Sequence, residues 1–239
     1  MRALMKTLTT VTVLGAALAL SVTLAGCVTL LPKTKPAQLY RFGYTPELVE
    51  QKAQAAGSAG AVAKTPVGIV FGTVTFPQDS AGDRIVTVEG SQVAYVAEAR
   101  WTSGAAGLFK DAISTGFARG GQTVTLEPRG PTAANYRLDI SVRKFETDYK
   151  RNRPTVSVAL DARLIRLSDR MVVGQKFISA DVAVRKSDMS LMADGYNQAT
   201  TQVVTGLITF SEEALAAFPQ TTAPMEMVKP SASQKVEGL

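Results

Sequence analysis

The chain has 239 residues, of which 46% are hydrophobic and 19% charged, with 26 Lys and Arg against 20 Asp and Glu, one cysteine and no histidine. Without histidine there is no Ser-His-Asp or Cys-His constellation and no His-containing zinc site, and one cysteine leaves no internal disulfide. The basic excess is mild and spread along the chain, which argues against a nucleic-acid partner and leaves paired carboxylates, Ser-Lys dyads or Tyr and Lys bases as the remaining catalytic options.

Arg2 and Lys6 start the chain with positive charge, and no charged residue follows until Lys33. The apolar run Val11 to Leu24 ends in Leu24-Ala25-Gly26-Cys27, the layout of a secretory signal. This ending resembles the bacterial lipoprotein signal. The resemblance implies cleavage between Gly26 and Cys27, a diacylglycerol thioether on Cys27 and acylation of the new amino terminus. The thiolate is the nucleophile such chemistry needs. A membrane-spanning helix is the competing reading, since residues 7–32 are uncharged. Its many Thr and Ser residues (Thr7, Thr9, Thr10, Thr12, Ser21, Thr23) make it a weak span, and a span gives no role to Cys27. Several acyl chains would anchor the protein without spanning. Val28, in place of Asp after the acylated cysteine, implies sorting to the outer membrane. Loss of residues 1–26 removes Arg2 and Lys6, so the net charge falls from +6 to +4.

Residues 27–38, with two prolines and two lysines, read as a tether, and residues 39–218 as one domain. Tyr40-Arg41-Phe42-Gly43-Tyr44 predicts a strand. The Ala/Gly-rich residues 50–66 lack an apolar period and predict a flexible loop. Val67 to Phe76, closed by Pro77, predicts a central strand. After the turn residues 78–83, Ile85–Val88 and Ala94–Trp101 predict short strands around Glu89-Gly90-Ser91. Leu108, Phe109, Ala112, Ile113, Gly116 and Phe117 recur at helical spacing, with Thr102 or Ser103 as cap and Gly120-Gly121 as stop. Thr123 to Leu126 predicts a brief strand.

Alternation is clearest in three long strands, 136–149, 154–167 and 171–185, which should pair in sequence as an antiparallel meander. Leu138, Ile140, Val158 and Leu160 are expected inside, with Arg137, Asp139, Asp161 and Arg163 outside. A change of phase at Lys144 suggests a bulge. Met192, Tyr196, Ala199, Val203, Leu207, Phe210 and Ala214 form one stripe of a long helix that Pro219 ends. Residues 219–239 read as a disordered tail. The fold class is α/β (α+β): an antiparallel-rich sheet with a three-strand meander, packed by one mid-chain helix and one long C-terminal helix.

Few residues suggest chemistry. Lys150, Arg151 and Arg153 lie in the turn of the longest hairpin, as a contact for phosphate headgroups or an acidic partner; a solvated turn is the commoner use of such a segment. Trp101 is either a core filler or an interface anchor. Gly104-Ala105-Ala106-Gly107 precedes a helix but lacks the lysine of a phosphate loop. Asp79 and Asp83 share a turn without the spacing of a calcium loop. The Met192 to Ala214 stripe could line a lipid groove, although core packing explains it as well. No carboxylate pair stands out, and no cofactor or metal is expected.

Several segments together resemble the auxiliary lipoprotein family of ABC-type transport systems: Cys27, Tyr40-Arg41, Phe76-Pro77, Val93-Ala94-Tyr95, Ala99-Arg100-Trp101, Tyr136-Arg137-Leu138, Phe145-Glu146 and the long C-terminal helix. The members are outer-membrane lipoproteins that accompany mammalian-cell-entry (MCE) lipid transporters, including the paraquat-inducible type. The resemblance spans roughly residues 38–218. It implies a non-enzymatic partner of an ABC ATPase, a permease and an MCE-domain protein that move phospholipid or another lipid across the periplasm. It also implies homo-oligomerisation, since some relatives form rings, and it transfers no site residue besides Cys27. A structural or assembly lipoprotein of the envelope without lipid cargo, and a periplasmic hydrolase, are the other classes consistent with these features.

Overall fold

The computed structural model describes residues 35–48, 66–127, 134–150 and 153–218. The signal segment with Gly26, Cys27 and Val28, most of the tether, loop residues 50–65, Arg151 and the tail 219–239 lie outside the described residues. A compact unit of the chain starts at Gln38.

Eight strands form one sheet: β1 (Gln38–Tyr40), β2 (Val67–Thr75), β3 (Arg84–Glu89), β4 (Gln92–Trp101), β5 (Val124–Glu127), β6 (Tyr136–Lys150), β7 (Arg153–Arg166) and β8 (Val172–Ala183). Among the described residues two long helices accompany them, α1 (Ala105–Gly120) and α2 (Met189–Ala217), besides helical residues at 46–48. The fold is therefore mixed α and β, with the mid-chain and the long C-terminal helix in their expected places.

The meander forms as the alternation requires. β6 pairs antiparallel with β7 from Tyr136↔Arg166 to Lys150↔Arg153, and β7 with β8 from Thr155↔Ala183 to Ile165↔Val172. The register shifts between Val142 and Lys144, so Arg143 is the extra residue of the expected bulge. Leu138, Ile140, Val158 and Leu160 are buried. On the other face Arg163 is exposed, but Arg137, Asp139 and Asp161 are half-buried rather than free in water. They shield one another in ion pairs: Arg137 with Asp139 at 3.1 Å, and Asp161 with Arg143 at 2.6 Å.

The other half of the sheet is built differently. Since β7 takes one edge of β6, the opposite edge accepts both β2 and β3, each parallel to it, at its two ends. β2 pairs with Tyr136 to Ser141, and β3 only at Thr87↔Thr147 and Val88↔Asp148. β2 is interior, as expected, with β5 parallel on its far side. At Gly72 it approaches β6 so closely that a Cβ would stand 2.6 Å from the Leu138 carbonyl and 2.9 Å from Arg137 Cγ. β3 turns into β4 through Gly90, whose φ of +61° suits glycine.

Two expectations are corrected here. Tyr40 to Tyr44 is not a strand: β1 ends at Tyr40, because its partner β4 ends at Trp101 and the chain then turns onto α2. Nor does Thr102 or Ser103 cap α1. Gly104 is the N-cap without a side-chain bond, since the Ala81 and Gly82 carbonyls already accept the first N–H groups. By contrast α2 has a side-chain cap, with Asp188 Oδ1 accepting from Ser190 and Leu191 N–H at 2.9 and 3.1 Å.

Both helices contribute to one core. The predicted stripe of α2, Met192 to Ala214, is buried against β7 and β8, and α1 packs on α2 with Leu108, Phe109, Ile113 and Phe117 inside.

Candidate functional site

At the centre of the core stands an aromatic cluster. Phe42 meets Trp101 and Phe145 at ring centroid distances of 4.9 Å each, and Trp101 meets Tyr196 edge-on at 5.0 Å. Trp101 is 2% exposed, a core filler rather than an interface anchor. Tyr196 is fully enclosed; its hydroxyl bonds Thr147 Oγ1 at 3.2 Å, and burial pushes its ionisation above the ordinary tyrosine value. Side chains of α2 hold the segment after β1 as a strap: Asn197 Oδ1 accepts from Gly43 N–H at 2.9 Å and Thr201 Oγ1 from Thr45 N–H at 3.1 Å. The chain that arrives at Gln38 is thus fixed to the core within a few residues.

Of the residues singled out in the sequence, most take structural roles. The first N–H groups of α1 bond carbonyls: Ala105 to Gly82 at 2.9 Å, Ala106 to Ala81 at 3.2 Å and Gly107 to Gly104 at 2.9 Å. The Gly104 to Gly107 segment therefore presents no free cradle for phosphate. Asp83 pairs with Arg100 at 3.0 Å, and Asp79 accepts from the Ser80 hydroxyl. Among the described residues no group of three or more His, Cys, Asp or Glu is placed to hold a metal ion. The Met192 to Ala214 stripe is core, so it lines no lipid groove. No helix among the described residues is long and apolar enough to cross a membrane.

The basic hairpin is where the alternation puts it: β6 ends at Lys150 and β7 begins at Arg153, which is exposed. In register, Val88 stands beside Asp148, so the β3–β4 turn and the β6–β7 turn share one end of the sheet. β8 also finishes there, opposite Thr155, and is followed by exposed Arg185 and Lys186.

At that same end lies a groove of about 510 Å³ that the sequence reading missed. One wall is the end of β8 and the residues that follow it, Val182 to Lys186. The other is α2, which contributes Leu191, Asp194, Gly195 and Gln198, spaced three, four and seven residues apart on one helical face. This second face runs beside the buried stripe, and its mixed membership leaves no distinguishing mark in the sequence. A smaller groove of about 240 Å³ on the outer sheet face is lined by Thr73, Thr75, Asp139, Ser141, Asp161 and Arg163; the ion pairs above engage Asp139 and Asp161, and a hydroxyl bond joins Thr75 and Ser141.

At the opposite end, Arg166 donates two bonds to Asp169, at 3.1 and 2.7 Å, across the β7–β8 turn. These bonds, with a further one from Met171 N–H, hold the Asp169 carboxyl down at about 2.

Comparison with known proteins agrees with this architecture. Protein XCC0632 from Xanthomonas campestris has a similar structure, with a TM-score of 0.62 at 21% identity, over 77% of this chain and 100% of its own. An uncharacterized protein of solved structure superposes with a TM-score of 0.56 at 11% identity, over 73% of this chain and 98% of its own. Both identities speak for the fold alone. No curated protein matches the sequence. The model of the ABC-type transport auxiliary lipoprotein component family matches residues 48–207, most of the domain and well over half of the chain. The chain belongs to the ABC-type transport auxiliary lipoprotein component family.

Proposed function

We propose that the protein is a non-enzymatic, lipid-anchored auxiliary component of an ABC transporter that works with an MCE-domain protein to move phospholipid or another lipid between the inner and outer membranes. The observation that carries this reading is the family match over residues 48–207 downstream of Leu24-Ala25-Gly26-Cys27. In it, residues 1–26 are the signal, Cys27 bears the lipid, residues 27–38 are the tether, residues 39–218 are the working domain and residues 219–239 are a tail. Val28 sends the protein to the periplasmic face of the outer membrane. Lys150, Arg151 and Arg153 offer positive charge to headgroups or an acidic partner surface, and the domain assembles as a homo-oligomeric ring.

Two buried hydroxyls are bonded within the core, Thr147 with Tyr196 and Ser211 with the Leu207 carbonyl, while Thr200 Oγ1 has no partner among the described residues. Affinity purification from solubilised envelopes tests the assignment. The ATPase, the permease and the MCE-domain protein should co-purify with the wild-type chain. Recovery of the protein alone, or with envelope structural proteins only, would contradict the transport role.

A further inference from the structure

We infer that the groove between β8 and α2 is a docking site for an extended segment of a partner polypeptide, added as a further strand to the sheet. The inference goes beyond the transport role and does not depend on acylation of Cys27.

Among the described residues β8 pairs only with β7, which leaves its other edge open. Natural proteins guard such edges with inward charges, bulges or prolines. β8 carries these guards in its first half only. Lys176 reaches Glu213 of α2 at 3.2 Å, and the register shift lies between Leu164 and Ile165, opposite the start of β8. From Phe177 to Val184 there is no proline, no bulge and no cation, and the one acid, Asp181, is bonded to Ser157. The unguarded half is the half that runs into the groove.

The backbone geometry follows from one bond. Val184 N–H donates to the Pro154 carbonyl at 2.8 Å, so by the alternation of an antiparallel ladder Asp181 and Ala183 direct their N–H and C=O groups away from β7. An extended peptide beside them pairs those groups. Its alternate side chains then fall on the helix side, against Val182, Val184 and Leu191. An acyl chain fills apolar space but leaves the outward backbone groups without partners, so the peptide is the better match. Arg185 and Lys186 at the mouth select an acidic side chain or a terminal carboxylate, whereas Asp194 on the helical wall disfavours acids deeper in the groove.

The test uses the unacylated polypeptide from Val28 onward, which keeps the whole described core because that core lies within residues 38–218. Random peptides displayed on phage are panned against it, and the enriched sequence is synthesised for binding and hydrogen-exchange measurements. Enriched peptides should alternate apolar and polar residues and carry Asp or Glu at one end, and the amides of Asp181 and Ala183 should gain protection on binding. Ala183→Pro, at an exposed position whose N–H points outward, should abolish binding with the fold intact. The pair Arg185→Glu and Lys186→Glu should weaken it by about tenfold and flatten its salt dependence. Failure to enrich alternating peptides, or binding unmoved by either variant, would overturn the proposal. So would self-association that Ala183→Pro abolishes, which makes a second copy the occupant, or stronger peptide binding after deletion of residues 219–239, which makes the chain's own tail the occupant.

Discussion

The two halves of the sheet were assembled by different means. From β6 to β8 the chain folds back on itself through short turns, and its ladders run the full length of 14- and 12-residue strands. From β1 to β5 only the β3–β4 hairpin is local; β1, β2 and β3 each find a parallel partner far along the chain, in ladders of two to five paired residues. Local antiparallel pairing needs little besides alternation and a turn. Short parallel ladders need other support, and here the aromatic cluster and the strap across α2 provide it.

That comparison can be broken first at Phe42, the residue that fastens the strap to both halves. Phe42→Ala removes a ring that is 3% exposed and in contact with three other aromatics, and should cost about 3–5 kcal/mol in denaturant melts. A cost below about 1 kcal/mol would show that the strap is dispensable. Leu160→Ala, in the middle of the meander and fully buried, should cost about 2–5 kcal/mol. Native-state hydrogen exchange sharpens the contrast: amides of β6 and β7 should stay the most protected in the Phe42 variant, while those of β1 and β4 open first.

Smaller effects follow at the ends. Asp188→Ala removes the cap of α2 and should cost about 1 kcal/mol, with faster exchange confined to Ser190 and Leu191 and their neighbours. The smallest concerns the Arg166–Asp169 pair. The Asp169 carboxyl lies below its ordinary value of 3.8, at about 2, so its contribution is present above pH 4 and is lost as the pH falls towards 2. The pair is exposed, and salt should weaken it. Titration of the Asp169 carboxyl by NMR should find a midpoint near 2 that Arg166→Gln raises towards 4; a wild-type midpoint near 4 would contradict the bonded turn.

The contrast also explains what could be read in advance. Period-two alternation and the stripe on α2 are written in consecutive residues, so the meander, the bulge and the buried faces were legible down to Leu138 and Leu160. Parallel pairing leaves no local mark. Nothing in Val67 to Thr75 says that it lies beside Tyr136, and the bonds from Gly43 and Thr45 to α2 cross more than 150 residues. Alternation in Tyr40 to Tyr44 therefore imitated a strand. The groove was missed for a related reason: it forms where a strand end and a helix start converge, and Leu191, Asp194, Gly195 and Gln198 share no chemistry that would single them out.

The central claim is that this domain is held at a membrane by lipid on Cys27. Mass spectrometry of the protein purified from envelopes tests it most directly. The account predicts an amino-terminal tryptic peptide that begins at Cys27 and carries a diacylglyceryl group and an amide-linked acyl chain, with Cys27→Ser giving an uncleaved, unmodified chain. A terminus at any other residue, or an unmodified Cys27 thiol in the membrane-bound protein, would contradict it.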